Sequence, residues 1–292
     1  MRISSHFNLA ASLVLAALSS PLFAKADSDW STDHLDDAWA EHALAHPELD
    51  EGWCQPCHND SDHRIGHCEV REFSYPRARK PIAIDGGQNS GMTVMGWNRD
   101  HVRILYRVTT RARTEERTRA LAAEVQLALT TGWLRPDGPS VTREGESWMV
   151  EVKAWVPRAS DLALSTHNGP LGVRDVHGRM DLSSVNGPVS LVALSGAVQA
   201  RVQNGPLHVA LAGSRWDGAG LDAEAENGPL NLELPADYSA LFETGTINGP
   251  RGNMDYPIDS NHRGGWITTT LGKGGPPVRV VTHNGPFQIT EH

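Results

Sequence analysis

The sequence predicts a mainly β protein: a β-solenoid, a single-chain stack like a parallel β-helix, entered through a β-rich section that carries one helix. Three observations predict it. The triplet Asn-Gly-Pro recurs at Asn168, Asn186, Asn204, Asn227, Asn248 and Asn284. The residues flanking each triplet fall into apolar columns two positions apart. The stretch before the repeats alternates apolar and polar residues or is β-branched. With 292 residues, 39% apolar and 21% charged, the chain can bury a real core.

In chain order, residues 1–26 read as a secretory signal: Arg2 in a short basic start, an apolar run from Leu9 to Phe23, then the small residues Ala24 and Ala26 around Lys25. That run is too short and wrongly flanked for a spanning helix. Its removal leaves 24 basic against 35 acidic residues, a net charge of −11. An acidic surface repels nucleic acid and anionic lipid, so neither is an expected partner. No later run reaches the roughly 18 apolar residues a span needs, and no hydrophobic tail or sorting signal precedes His292. The mature chain is therefore expected in the periplasm or outside the cell, without a transmembrane segment.

Residues 27–79 form an acidic leader, rich in His, that holds all three cysteines. Within it Leu35, Trp39 and Ala43 share a face and predict a helix over 32–45, ended by Pro47. Residues 80–157 make the β-rich section, with strands expected at Ile82–Ile84, Met92–Trp97, Val102–Thr110 and Trp148–Trp155. The spacing of Leu121, Val125 and Leu129 predicts a helix over 114–129, with Glu115 and Glu116 in its first turn where the dipole favours them.

Residues 158–292 hold the repeats. The Asn-to-Asn intervals are 18, 18, 23, 21 and 36 residues, which read as an 18-residue unit with two insertions and then one skipped triplet at twice the period. Six positions before each Asn stand Leu162, Met180, Val198, Leu221, Phe242 and Val278, and four before stand Leu164, Leu182, Ala200, Ala223, Thr244 and Val280. Between them lie Ala163, Asp181, Gln199, Asp222, Glu243 and Arg279. Alternation of strand side chains places the first two columns inside and the third outside. After the Asn, Leu171, Val189, Leu207, Leu230 and Phe287 continue the inner columns, as do Val173, Leu191, Val209, Leu232 and Ile289. Arg251 and Asn253 break the pattern. The triplet suits a corner: Asn tolerates the left-handed region, Gly takes conformations barred to others, and Pro gives up a donor where none can pair. Stacked identically, Asn168, Asn186, Asn204, Asn227, Asn248 and Asn284 are expected to form an amide ladder.

Candidate chemistry is sparse. Cys54-Gln-Pro-Cys57-His58 fits the C-x-x-C-H pattern of covalent haem attachment, with His63, His67, Met92 or Met95 as a second axial ligand. The loop 59–67 is almost wholly polar, which a haem does not favour. A disulfide would instead join Cys68 to Cys54 or to Cys57, leaving one thiol, and a metal site drawn from Cys54, Cys57, His58, His63 and His67 is the third option. His42 and His46 sit one helical turn apart and read as solvated helix residues. Outward charges at Asp181, Asp222, Glu224, Glu226, Glu243 and Arg279 could line a groove of the kind polysaccharide-acting β-helix enzymes use, but they scatter over several columns and no catalytic residue is assigned.

The repeats, with the run Cys68-Glu-Val-Arg-Glu-Phe, the strand-turn Ile84-Asp85-Gly86-Gly87, the Gly96-Trp97 pair and Val156-Pro157-Arg158, resemble the bacterial putative-adhesin family, a family of unknown function with Asn-Gly-x solenoid repeats. The resemblance spans residues 50–292 and is specific in the repeats. It implies a secreted or envelope-associated β-solenoid with no established catalytic activity, and a pair of cysteines in this region, which makes Cys57 the extra one and Cys54 with Cys68 the pair. Pro here replaces the Gly that commonly follows Asn-Gly, which stiffens the corners.

The expected role is thus structural or adhesive and non-enzymatic: a rigid surface presented to an envelope or extracellular protein or a glycan. No cofactor or metal is expected. A covalently attached haem at Cys54, Cys57 and His58 and a polysaccharide-acting β-helix enzyme are the alternatives. The last coil, ending at Thr290, Glu291 and His292, reads as an unpaired edge, which predicts an end-to-end homodimer.

Overall fold

A computed structural model describes residues 53–54, 64–76, 80–140, 145–254 and 265–291. The entry section comprises β1 (Ile65–Pro76), β2 (Ile82–Asp85), β3 (Met92–Trp97), β4 (His101–Ala112), α1 (Glu115–Glu124), β5 (Gln126–Thr130), β6 (Trp133–Asp137) and β7 (Ser147–Pro157). The repeats comprise β8 (Leu162–Asn168), β9 (Leu171–Arg174), β10 (His177–Asn186), β11 (Val189–Val192), β12 (Ser195–Asn204), β13 (Leu207–Ala210), β14 (Gly220–Asn227), β15 (Leu230–Leu234), β16 (Ala240–Thr246), β17 (Arg251–Met254), β18 (Trp266–Leu271), β19 (Pro277–Asn284) and β20 (Phe287–Glu291).

The fold is mainly β, and its strands form two ten-stranded mixed sheets. The first runs β1-β4-β7-β3-β9-β11-β13-β15-β20-β17 and the second β18-β16-β19-β14-β12-β10-β8-β2-β6-β5. Each Asn-Gly-Pro corner carries the chain from a strand of the second sheet to one of the first. Within the repeats the pairing is parallel and in step: Leu162 lies beside Met180, Met180 beside Val198, and Val198 beside Leu221. Across the corner Leu171, Val189, Leu207 and Leu230 are likewise successive neighbours. All of these side chains are buried and belong to one hydrophobic core that both sheets line. Burying each such Leu or Val contributes roughly 1.5–3 kcal/mol relative to exposure.

The corner glycines follow from this close stacking. A Cβ on Gly187 would lie 2.3 Å from the carbonyl oxygen of Gly169, and one on Gly205 would lie 2.2 Å from that of Gly187. No side chain fits there, whatever its backbone preference.

Five observations depart from the sequence reading. The helix expected over 114–129 stops at Glu124: α1 is capped by the Thr114 side chain, and the chain turns extended at Val125. Leu129 is not the third member of its apolar face but lies in β5, paired with β6 across a Thr131-Gly132 turn with positive φ at both residues. The turn chemistry overrides the i, i+4 spacing. Second, Ile65–Pro76 of the leader is a strand, antiparallel to β4. Third, the pairings β1–β4, β4–β7, β5–β6 and β16–β18 are antiparallel, so the stack is not purely parallel. Fourth, the register shifts between Arg251 and Met254, so that Met254 rather than Asn253 lies level with Ile289.

The fifth concerns the 36-residue interval, which skips no coil. The coil of Asn284 lies between those of Asn227 and Asn248, because β19 pairs with both β14 and β16, and β20 with both β15 and β17. The extra residues carry β18 back, antiparallel along β16, before β19 enters. Glu291, expected at an open edge, therefore belongs to an interior strand, and the edges on this side are β17 and β18. The premise of an end-to-end dimer through the last coil does not hold.

Candidate functional site

Outward residues of the second sheet converge on Arg279. In-step pairing puts Asp222 and Glu243 on either side of it, from β14 and β16. Arg279 Nη1 donates to Asp222 Oδ1 at 2.8 Å and to Glu224 Oε2 at 2.7 Å, and its Nε lies 3.5 Å from Glu243 Oε1. Arg201 of β12 donates to the other Asp222 oxygen at 2.6 Å, His283 Nε2 lies 3.0 Å from Glu224, and the Trp266 indole donates to Glu243 at 3.0 Å. The Arg279 guanidinium also sits 5.8 Å from the Trp266 ring centre. Two outward columns of the repeat, two residues apart, thus bring Asp222, Glu224, Glu243 and Arg279 together. Asp181 and Glu226 are exposed and stand outside this network.

The electrostatics favour fixed charges. Partial burial alone would raise the Asp222 carboxyl, but hydrogen bonds from Arg201 and Arg279 outweigh it and hold the group below the usual carboxylate range. Burial would likewise weaken the Arg279 cation, and its bonds to Glu224 and Asp222 more than compensate. A general acid working near neutrality needs the opposite shift.

Beside this face runs a file of amides. Asn186 Nδ2 donates to Asn168 at 2.9 Å, Asn204 to Asn186 at 3.0 Å, Asn227 to Asn204 at 3.0 Å, Asn284 to Asn227 at 2.9 Å and Asn248 to Asn284 at 2.9 Å. Asn168 in turn donates to Asn89 at 3.2 Å. Asn89 was missed because one extra residue separates it from Ile84 and because Ser-Gly, not Gly-Pro, follows it. The signal that reveals it is the spacing of Met92 and Val94, three and five residues on, as after every other ladder Asn except Asn248. Ser90 is tolerated where later coils have Gly, and its hydroxyl donates to the Val150 carbonyl. The sequence reading also missed a buried column two residues before the Asn: Thr166, Ser184, Val202, Ala225, Thr246 and Thr282. Their hydroxyls are bonded locally, Thr166 to Ser184 at 3.2 Å and Thr282 to the Gly228 carbonyl at 2.7 Å.

In the leader, Cys54 and Cys68 form a disulfide with Cα atoms 5.7 Å apart. It anchors Trp53 over the outer face of the first sheet, where Met95, Trp97, Leu105 and Trp155 make a small second core. The Lys153 ammonium lies 4.2 Å from the Trp53 ring centre, and Arg107 donates to the Trp53 carbonyl. Cys57, His58 and His63 lie outside the described residues, as does the 32–45 segment with His42 and His46. A sulfur committed to the Cys68 bond is not free to form a thioether, and His67 pairs with Glu69 at 3.4 Å. Met92 and Met95 are buried, Met92 in the main core and Met95 in the second. Among the described residues no helix is long and apolar enough to cross a membrane.

No protein-family model matches the chain, and no curated protein matches it. Among solved structures, it is similar to a putative cell adhesion protein from Clostridium sporogenes, at 10% identity over 77% of this chain and 100% of that one, with a TM-score of 0.43. A putative adhesin from Bacteroides fragilis is similar at 10% identity, over 77% of this chain and 97% of that one, with a TM-score of 0.30. A putative lipid binding protein from Parabacteroides distasonis gives the same identity and coverage with a TM-score of 0.28.

Proposed function

We propose that this is an exported, non-catalytic β-solenoid protein of the cell envelope or exterior, which presents the outward flank of its repeats as a rigid adhesive surface to an envelope protein or glycan. The observation that carries the reading is the Arg279 network. Its carboxylates are tied to cations on neighbouring strands, so the charges hold the coils in register, and the two arginines beside Asp222 keep that carboxyl ionised. A stack fixed by main-chain ladders, an amide file and ion pairs keeps exposed groups such as Asp181 and Glu226 at set spacings along one face, as repetitive binding surfaces require.

The test is retention on the immobilised mature chain of components from envelope extract and from a polysaccharide panel. The reading predicts a retained partner that is lost on the double change Asp181→Arg and Glu226→Arg, with no turnover of any polysaccharide. Turnover without retention would contradict it. The haem alternative is separated by an absorbance scan of periplasmically produced protein, where a Soret band surviving denaturation and acid extraction would displace the adhesive reading.

A further inference from the structure

We infer that the coil Pro277–Glu291 is an exchangeable donor element, and that the slot it fills accepts the same coil from a second copy of this chain. The inference rests on topology and does not depend on the adhesive reading.

The coils of Asn227 and Asn248 follow one another in sequence, joined by the short link 235–239, yet they are not neighbours in space. They frame a slot one coil wide, and only β19 and β20, which come later in the chain, complete it. Until that coil arrives, both walls carry unpaired main-chain groups. Gly228 N donates to Asn284 O at 3.0 Å and Leu230 N to Pro286 O at 2.9 Å on one wall. Asn248 N donates to His283 O at 2.7 Å on the other. Such paired open edges are a template for any strand of the right register.

The slot reads the coil's side chains as well as its backbone. Arg279 meets Asp222 and Glu224 on one wall and Glu243 on the other. Asn284 accepts from Asn248 and donates to Asn227, closing the amide file. Val278, Val280, Phe287 and Ile289 fill the core. The strand pair that matches all of these at once is this coil itself, and a second copy carries it unchanged.

The hinge permits delivery in trans. Gly272, Lys273, Gly274, Gly275 and Pro276 connect β18 to β19; the first four line an open cleft with Ser214, Arg215 and Ser239. Gly272 and Gly274 have φ of 51° and 71°. Three glycines in five residues let the connection re-aim at little steric cost. Reciprocal exchange then restores every contact except those of the hinge, which is the condition for a low-cost swapped dimer.

Complementary charge reversal tests this on the full chain, in a Cys57→Ser background so that no spare thiol links copies. One copy carries Arg279→Glu, and the other carries Asp222→Arg and Glu224→Arg together with Glu243→Gln, which removes the carboxylate on the far wall. Each alone has a mismatched coil and slot, whereas exchange between them matches both. Co-refolding is expected to give a one-to-one heterodimer of doubled mass by light scattering and native mass spectrometry, absent when either refolds alone. Co-refolding that gives only the species each forms alone would overturn the proposal. Should a variant fail to fold, wild-type heavy and light copies decide the matter. Mixed dimers that form when the copies are combined before refolding, persist on dilution, and do not form on combining native protein support exchange. Monomers at every concentration, or dimers that mix freely from native protein, overturn it.

Discussion

At single residues, the tight stacking makes backbone space the limiting quantity. Gly187 has φ 148° and a Cβ there would meet the neighbouring coil's carbonyl at 2.3 Å, whereas Gly213, at φ 75°, has nothing within 4 Å. Gly187→Ala is therefore expected to destabilise the fold by about 3 kcal/mol or more, and Gly213→Ala by about 1 kcal/mol, the cost of its backbone conformation alone. Urea unfolding midpoints of the two variants check the difference. Charge gives a second prediction. The Asp222 carboxyl is held below its ordinary value of 3.8 in the folded chain. Its ion pairs thus stabilise the fold above that pH, and the contribution is lost as pH falls through the lower folded value. Asp222→Asn is expected to lower stability at neutral pH by about 1 kcal/mol or less, given its partial exposure, and to flatten the acid limb of a stability–pH curve.

At the scale of elements, the amide file ties each rung to the next. Asn204 makes two ladder bonds and Asn89 makes one. With exposed bonds contributing roughly 0.5–1 kcal/mol each, Asn204→Ala is expected to cost about twice as much as Asn89→Ala in thermal unfolding. The helix boundary offers a sharper contrast. Leu121 is 2% exposed inside α1, and Leu129 is 73% exposed in β5. Leu121→Ala is expected to cost about 2–4 kcal/mol and Leu129→Ala less than about 0.5 kcal/mol, which circular dichroism melts would register. A helix running to Leu129 would make the two costs similar. These elements also show what was legible beforehand. The inner columns could be read because burial on one face of a strand imposes a period of two on every coil. The Asn89 rung was hidden because a single inserted residue lengthens the sequence distance from Ile82 and Ile84 to the Asn, although the two pair level with Leu162 and Leu164, while Met92 and Val94 keep the usual distance after it. The convergence on Arg279 needed the coil order, which decides whether Glu243 alone or Asp222 as well stands beside it.

For the molecule as a whole, local pattern does not reveal which coil touches which. The segment around Asn284 has the same column chemistry as its neighbours, so every slot suits it equally on sequence grounds; only the chain's return along β16 places it inside. The leader presents the same difficulty, because Trp53 lies far in sequence from the Trp97 and Trp155 it shields. The Cys54–Cys68 bond spans 14 residues. Its reduction is expected to lower stability by roughly 3 kcal/mol and to change tryptophan emission as Trp53 leaves Lys153 and Arg107. Unchanged emission with a lowered midpoint would show that the bond restrains the unfolded chain without anchoring Trp53.

The order of the coils is tested most directly by zero-length cross-linking of cysteine pairs placed on the outward column just before the Asn. Glu226 with His283, and His283 with Ile247, are expected to join as neighbours, and Glu226 with Ile247 to remain apart with a coil between them. Efficient joining of Glu226 to Ile247, with none between Glu226 and His283, would mean that the coils stack in sequence order and would contradict the inserted position of the Asn284 coil.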